Sequence, residues 1–493
     1  MSEASGTSTA TRHPVDTPMA PGPSILYGLQ HVLSMYAGVV AVPLIIAGAF
    51  KLSTADTIYL VSASLFMAGL ATILQTIGVW KIGARQPIVQ GTSFVAVSTM
   101  LAIGAATGGG TAGLQRIYGA LIVAGVAGFL IAPIFTRLLR FFPEVVTGTV
   151  ITMIGLSLIP VGVGWAMGGV GTPEFGQPKH LALAGATLVL IVLIYRFLPG
   201  FFSRIAILLG LVLGTLVALP FGMADFGAIG EARAFQVPTP FHFGAPTFEV
   251  SAIISMFIVM LVIMTEATAD ILALGEVTEK HADRDTVTNG LRADTLSTAV
   301  AGVFNSFSLS AFAQNVGLVA ITGIRSRYVV AVGGGILVLL GLFPVLGAFV
   351  AAVPMAVLGG AGLVLFGTVA ASGIRTLKGV DFSGNSNIVI VATSIAFGMA
   401  PIVQPEVWEH FPAWWQTIFD SGITSAAIMA VLLNIVFNII GRETDEGPVF
   451  SHGGAPGAIS DEDEERLDPR GERRDRGQAD RSDLPSGRRR RED

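Results

Sequence analysis

The sequence predicts an all-α polytopic membrane protein, and three observations carry that prediction. Charged residues make up 13% of the 493, against the ~25% usual in soluble chains, and mean hydropathy is +0.70. The apolar residues fall into blocks of roughly 20, the length a helix needs to cross the hydrocarbon core. The loops between the blocks are lopsided in charge. Many of the 60 glycines lie inside the blocks, which suits helices packed closely through small residues.

Taken in order, the blocks give fourteen segments: 25–49, 55–79, 86–104, 116–135, 143–163, 180–198, 202–221, 249–274, 290–307, 311–324, 328–350, 354–373, 387–404 and 421–441. The third and tenth are short. Gln90, Gly91, Thr92 and Ser93 interrupt one, and Gln314, Asn315 and Gly317 the other. With the N-terminus inside, the inner loops carry Lys81, Arg85, Arg137, Arg140, Arg196, Arg204, Lys280, Arg284, Arg292, Arg325, Arg327, Arg375 and Lys378. The outer loops carry Lys51, Arg116, Lys179 and Arg233. Thirteen against four obeys the positive-inside rule and fits an even number of segments. The chain is therefore expected to be a multi-pass protein of the inner (cytoplasmic) cell membrane with both termini cytoplasmic. Residues 406–420, with interfacial tryptophans and no Lys or Arg, suit the outer surface.

The ends read differently. Residues 1–22 are rich in Ser, Thr and Pro, with Arg12 their only arginine, and the block that follows is too long for a signal-peptide core. They read as a disordered cytoplasmic tail. Residues 443–493 read as a second such tail, dense in Asp, Glu and Arg from 460 onward and closing on Arg488 to Arg491. Such a segment has no apolar run with which to bury a core. Its basic end suits either solvent or an anionic leaflet. There is no cysteine, so disulfide and thiolate chemistry are excluded.

The chain also repeats itself. Tyr118 opens a glycine-containing apolar segment, and 25 residues later come Pro143, Val146 and Gly148. Tyr328 opens a similar one, and 26 residues later come Pro354, Val357 and Gly359. An interrupted segment precedes each unit. Seven segments separate the copies, so they run in opposite directions, as in transporters whose broken helices meet near the midplane.

Ionisable groups inside segments cost ~2.5–3.5 kcal/mol each on insertion scales, so each needs a reason. Glu266 and Asp270 lie four apart in the eighth segment and share a helix face. Two carboxylates there repel if both are ionised, which suits a pair that binds a proton. The other reading for Asp270 is a water-facing helix end. Asp294 begins the ninth segment, either as an acid at a helix N-terminus beside Arg292 or as part of a proton relay. His31 in the first segment suits a hydrogen bond to a neighbouring helix, and no second metal ligand lies at helical spacing from it. The interrupted segments free backbone N–H and C=O groups, tolerated only beside protein or a cavity. A planar heterocycle suits such a place. Helix N-termini would bond its carbonyl oxygens, Glu266 would accept its ring N–H groups, and Gln314 would offer both donor and acceptor. Phe94 and Phe312 would box the ring or simply pack.

At these residues the sequence resembles the nucleobase–ascorbate transporter family (the second nucleobase–cation symporter family), in its xanthine and uric acid permease branch. The likeness covers about residues 22–442. Gln314-Asn315-Val316-Gly317, with Thr322 five residues further on, looks like the family signature. Gly28 to Leu33, Gln90 to Phe94 and Gly290 to Asp294 match in order. The resemblance implies fourteen segments in two inverted seven-segment repeats, with segments 3 and 10 each a short strand plus a half-helix. It implies a core domain from 23–140 and 249–352, a gate domain from 141–222 and 353–442, and an extracytoplasmic loop at 223–248. Substrate binding falls to Glu266, Gln314, Phe94, Ser93, Phe312 and Ala313. Asp270, Asp294, His31 and Asn315 serve proton coupling or support the site.

The expected function is a proton-coupled importer of purine nucleobases, xanthine or uric acid, working by alternating access. Gln rather than Glu at 314, and Asp rather than His at 270, point by the family pattern to purine over uracil, a uracil:proton symporter being the alternative. An intramembrane enzyme using Glu266 and Asp270 as an acid pair is the alternative of another class. It lacks any nucleophile constellation or cofactor loop. The proton is the coupling ion, and no cofactor, metal or nucleic acid is expected. The partners are the purine and the bilayer, and the resemblance implies a homodimer through the gate domain.

Overall fold

The computed structural model describes residues 13–440, apart from 139–140, 225, 228–229 and 231–232. The tail expected at 443–493, and the first twelve residues of the one expected at 1–22, lie outside the described residues.

Residues 13–22 depart from the expectation of a disordered tail. A 3-10 turn at Pro14–Asp16 places Asp16 between two cations. Its carboxylate meets Lys280 Nζ at 2.7 Å and Arg327 Nε at 2.8 Å, and Ser326 Oγ donates to the Thr17 carbonyl at 2.7 Å. Burial works against the ionised form of Asp16, but Lys280 and Arg327 outweigh it and hold the carboxyl below its ordinary range. The charge pairing orders a stretch whose composition alone reads as coil.

The first span is α1 (Pro21–Ala49), opened by prolines where a missing N–H costs nothing. Next is α2 (Thr54–Ile77), capped by Ser53 Oγ, which accepts from Asp56 N, and ended at Gly78 with φ 72°. The third block becomes strand β1 (Gln90–Thr92), a 3-10 turn and helix α3 (Val97–Ala105). There follow α4 (Gly110–Leu138), α5 (Glu144–Ala166), α6 (Pro178–Phe197), the short α7 (Phe201–Arg204) and α8 (Ala206–Ala218). The second half has α9 (Val250–Val277), α10 (Arg284–Val303), strand β2 (Leu309–Ala311) and α11 (Ala313–Thr322). It continues with α12 (Arg327–Leu342), α13 (Pro344–Ala351), α14 (Met355–Leu377) and α15 (Asn385–Val403). It ends with α16 (Ala413–Phe419) and α17 (Gly422–Asn434), which runs into a π turn to Ile439.

Every one of the fourteen sequence blocks carries helix, but among the described residues nine helices are long and apolar enough to cross a membrane. The rest are shorter or more polar, and for four of the five the reason is visible. Strands break blocks three and ten. Block eleven breaks at Phe343, because Pro344 has no N–H to continue the ladder. Block nine, α10, carries Arg284, Asp285, Arg292 and Asp294.

Small residues set the closest approaches. A Cβ on Gly69 of α2 would meet the Gly334 carbonyl of α12 at 2.6 Å, and one on Gly125 of α4 would meet Ala299 N of α10 at 2.6 Å. These pairs need glycine because the backbones touch.

The two strands pair antiparallel, Gln90 with Ala311, Gly91 with Ser310 and Thr92 with Leu309. Ser93 N to Ser308 O (2.8 Å) and Phe312 N to Val89 O (3.1 Å) extend the ladder. Each strand is held at its first residue by a threonine of the helix before it. Thr72 Oγ1 accepts from Gln90 N at 2.9 Å, and Thr298 Oγ1 accepts from Leu309 N at 3.0 Å. β1 is also pinned to α1. Pro43 cannot donate to the carbonyl four residues back, at Val39, and Thr92 Oγ1 donates to it instead at 2.8 Å.

Candidate functional site

The strand ends deliver two short helices, α3 and α11, toward one cavity of about 380 Å³, within the range of small-molecule sites. Glu266, Gln314, Ser93, Phe94, Phe312 and Ala313 all line it. The structure thus brings together the six residues expected at the substrate. Sequence separation had hidden this, since Ser93 and Gln314 meet only because β1 and β2 pair.

Each group has a local cause. Glu249 caps α9, accepting from Ser251 N at 3.1 Å and Ala252 N at 2.8 Å. Burial disfavours its ionised form, but bonds from Ser251 and Ala252 outweigh that and keep its carboxyl below the ordinary range. The helix so started carries Glu266 to the cavity wall half-buried. Neither the Glu266 carboxylate nor the Gln314 amide has a hydrogen-bond partner among the described residues. Their bonding capacity faces the cavity. Phe312 reaches across to α1, where a Cβ on Gly38 would meet its ring at 2.7 Å. Phe94 is held edge-on by Phe366 of α14, with centroids 6.1 Å apart. α11 is anchored by Asn315, whose Nδ2 donates to the Pro87 carbonyl at 2.6 Å.

The four expected supporting residues stand behind the cavity and do not line it. Asp270 is buried on α9, not at a water-facing helix end, and its Oδ2 has no hydrogen-bond partner among the described residues. His31 is buried in α1 and faces Asn315. For Asp294 the reading as an N-terminal acid is corrected. α10 starts at Arg284, capped by Asp283, whose Oδ1 accepts from Thr286 N at 2.8 Å. Asp294 therefore lies mid-helix and is 1% exposed. The first ten residues of α10 are too polar to register as membrane helix, which displaced the expected start.

Sequence reasoning missed the cavity's other end. There it is lined by Tyr195, Arg204, Ser372 and Arg375, and neither arginine has an ion pair among the described residues. Both had registered only as inner-loop charge. It also missed Gln75, a buried amide of α2 that donates to Asp294 Oδ1 at 2.6 Å. A polar residue inside an apolar block was the available signal. Away from the arginines, a buried hydroxyl cluster ties α3 to the start of α17. Thr99 Oγ1 lies 2.8 Å from Ser421 Oγ and 2.9 Å from Thr424 Oγ1.

A multi-pass membrane protein whose broken helices enclose a polar cavity has the build of a membrane transport protein, and the comparisons agree. The family model described as the permease family, Xan_ur_permease, matches residues 22–407. The chain belongs to this family, the nucleobase–ascorbate transporters, which are permeases and not enzymes. It is 41% identical over 424 residues to a xanthine permease of Bacillus subtilis, covering 85% of this chain and 95% of that one. It is 42% identical over 426 residues to the uric acid transporter UacT of Escherichia coli, covering 86% and 88%. Among solved structures it resembles the transmembrane domain of the cyanobacterial bicarbonate transporter BicA, with TM-score 0.57, 14% identity and coverage of 84% and 99%. It also resembles the murine anion transporter Slc26a9 in an inward-facing state, with TM-score 0.60, 14% identity and coverage of 86% and 69%. At that identity the likeness is one of fold.

Proposed function

We propose that this chain is a proton-coupled symporter that imports xanthine, uric acid or both across the cytoplasmic membrane by alternating access. One observation carries the reading. The Glu266 carboxylate and the Gln314 amide, neither with a hydrogen-bond partner among the described residues, face one cavity at the meeting of two strand-to-helix breaks. An oxidised purine complements that arrangement. Its ring N–H groups donate to Glu266, and Gln314 supplies a donor and an acceptor to an amide-like edge. Its carbonyl oxygens take backbone N–H groups at the start of the 3-10 turn Phe94–Ala96 and at the N-terminus of α11, and its faces lie against Phe94 and Phe312. Relatives named for xanthine and uric acid supply the substrate class.

The matched pinning of β1 by Thr72 and of β2 by Thr298 supports two inverted seven-segment repeats. In this reading the core is built from 23–140 and 249–352, the gate from 141–222 and 353–442, and two copies join through the gate. Both termini are cytoplasmic, so the arginine-lined end of the cavity faces the cytoplasm and the structure is inward-open. The Thr99–Ser421–Thr424 cluster then closes the outer side, and it must part for the base to bind from outside. Asp270 and Asp294 hold the proton that accompanies it.

The test is uptake of labelled xanthine and urate into proteoliposomes with and without an inward proton gradient. Accumulation only with the gradient is expected. Equal flux without it refutes coupling, and no saturable flux of either purine refutes the substrate class.

A further inference from the structure

We infer that Gln75 is a positioning residue for Asp294, and that Gln90 reads whether Asp294 carries a proton and passes that state to the strand leading into the cavity. The inference rests on the proton-coupled reading above and names the side chains that link the proton to the base.

The geometry starts at Gln75, 0% exposed in the last turn of the membrane helix α2. Its Nε2 donates to Asp294 Oδ1 at 2.6 Å and to the Gly290 carbonyl at 3.1 Å. Its Oε1 accepts from Ala84 N at 2.7 Å. One amide thus joins α2, the loop before β1, and α10. The Ala84 bond fixes which end of the amide faces Asp294. An amide nitrogen only donates, so Oδ1 of Asp294 is an acceptor in either charge state. A proton on Asp294 therefore sits on Oδ2, which is buried and has no hydrogen-bond partner among the described residues.

The neighbour that completes the device is Gln90, 1% exposed and lying against Asp294. Among the described residues neither of its buried amide atoms makes a hydrogen bond of good geometry. Buried polar atoms are rarely left unpaired, and here the vacancies are complementary. A protonated Oδ2 donates to Gln90 Oε1. An ionised Oδ2 accepts from Gln90 Nε2. Rotation of one side-chain amide converts the first arrangement into the second. Gln90 is the first residue of β1, pinned by Thr72, and the strand runs directly into Ser93 and Phe94 on the cavity wall.

The surroundings contribute few competing charges. From α9 the ionisable neighbour is Asp270, which itself feels Glu266. α2 presents Gln75 and Thr72, β1 presents Gln90, and β2 is held by Thr298. α4 meets α10 through Gly125 and Gly128. Arg292, on α10 itself, is turned to Asn289 and the Phe129 ring.

The experiment uses full-length protein carrying Gln75→Glu, Gln90→Met or neither. Xanthine affinity is measured by calorimetry on purified protein. Uptake is measured in proteoliposomes against pH under an imposed proton gradient, beside xanthine counterflow without one. A glutamate at 75 still accepts from Ala84 N, but it donates to Asp294 only when protonated. Its uptake profile is expected to move about one pH unit or more toward acid, with xanthine affinity within about threefold of wild type. Gln90→Met is expected to keep affinity and counterflow but to lose about tenfold or more of gradient-driven uptake. An unshifted profile in Gln75→Glu overturns the inference, as does parallel loss of affinity, counterflow and uptake in Gln90→Met. If Gln75→Glu does not fold, Gln90→Met decides alone. Wild-type uptake indifferent to the gradient refutes the symport reading instead.

Discussion

Replacing Glu266 with glutamine tests the centre of the site, and its size follows from the structure. Glu266 is the one ionisable side chain among the six residues expected at the substrate, all of which line the cavity. Its carboxylate has no hydrogen-bond partner among the described residues, so the hydrogen bonds it makes in the loaded state go to the base. A hydrogen bond to a charged group is worth a net ~1.5–3 kcal/mol. At about 1.4 kcal/mol per tenfold, losing one such bond weakens binding by roughly 10- to 150-fold. Glutamine keeps the volume but turns one acceptor into an NH₂ aimed at a ring N–H, which places the effect toward the upper end. Calorimetry with xanthine on the wild type, Glu266→Gln and Asp270→Asn measures it. Asp270 stands behind the cavity, so its variant is expected to bind within about threefold of wild type while losing proton-driven uptake. A folded Glu266→Gln that binds within threefold refutes the assignment, as does an Asp270→Asn that weakens binding equally.

Two further outcomes test the frame around the site. Gly38→Ala places a methyl 2.7 Å from the Phe312 ring. The ring yields toward the cavity, so xanthine affinity is expected to fall by about tenfold, for an overpacking cost of ~1–3 kcal/mol, with the melting temperature nearly unchanged. Calorimetry and a thermal melt on the same sample check both. Asp16→Asn removes the bond that ties residues 13–16 to Lys280 and Arg327. Because the folded Asp16 carboxyl titrates below its ordinary 3.8, its contribution is full above that value and fades as pH falls through the folded one. The variant is expected to be less stable by about 0.5–1 kcal/mol at pH 7 and to match the wild type well below pH 3.8, as read from melts at both pH values.

How much of this was legible in the sequence depended on what a window average sees. The apolar blocks located helices because hydrocarbon-length runs of Val, Leu and Ile have few other uses. The two breaks were legible because Gln90 to Ser93 and Gln314 to Gly317 puncture otherwise apolar runs, and no backbone enters a membrane unpaired without a reason. The strand pairing itself was out of reach, since Gln90 and Ala311 meet through contacts that no local pattern encodes. α10 was misplaced because Arg284 to Arg292 average out as loop, although Asp283 with Thr286 carries an ordinary N-cap signal. Gln75 disappeared for the opposite reason. One amide barely shifts the mean of α2, and its partners Gly290 and Asp294 lie 215 and 219 residues away.

The likeness to bicarbonate and anion transporters at 14% identity separates what the fold supplies from what the side chains choose. At that distance side chains are mostly replaced, so the common element is backbone. A short helix ending at a cavity presents N–H groups and the positive end of a dipole whatever its sequence. Two such helix starts, the 3-10 turn Phe94–Ala96 and α11, make a cradle that favours oxygen acceptors and negative charge. Placing Glu266 in that cradle changes its logic. A carboxylate accepts hydrogen bonds and repels anions, so a small anion that satisfies the helix ends leaves Glu266 desolvated and opposed. A ligand that satisfies both must carry carbonyl oxygens on one edge and N–H donors on another, in a flat body that fits between Phe94 and Phe312. That description fits the oxidised purine proposed above. In that reading the carboxylate at 266, more than the helix ends, selects a ring that donates.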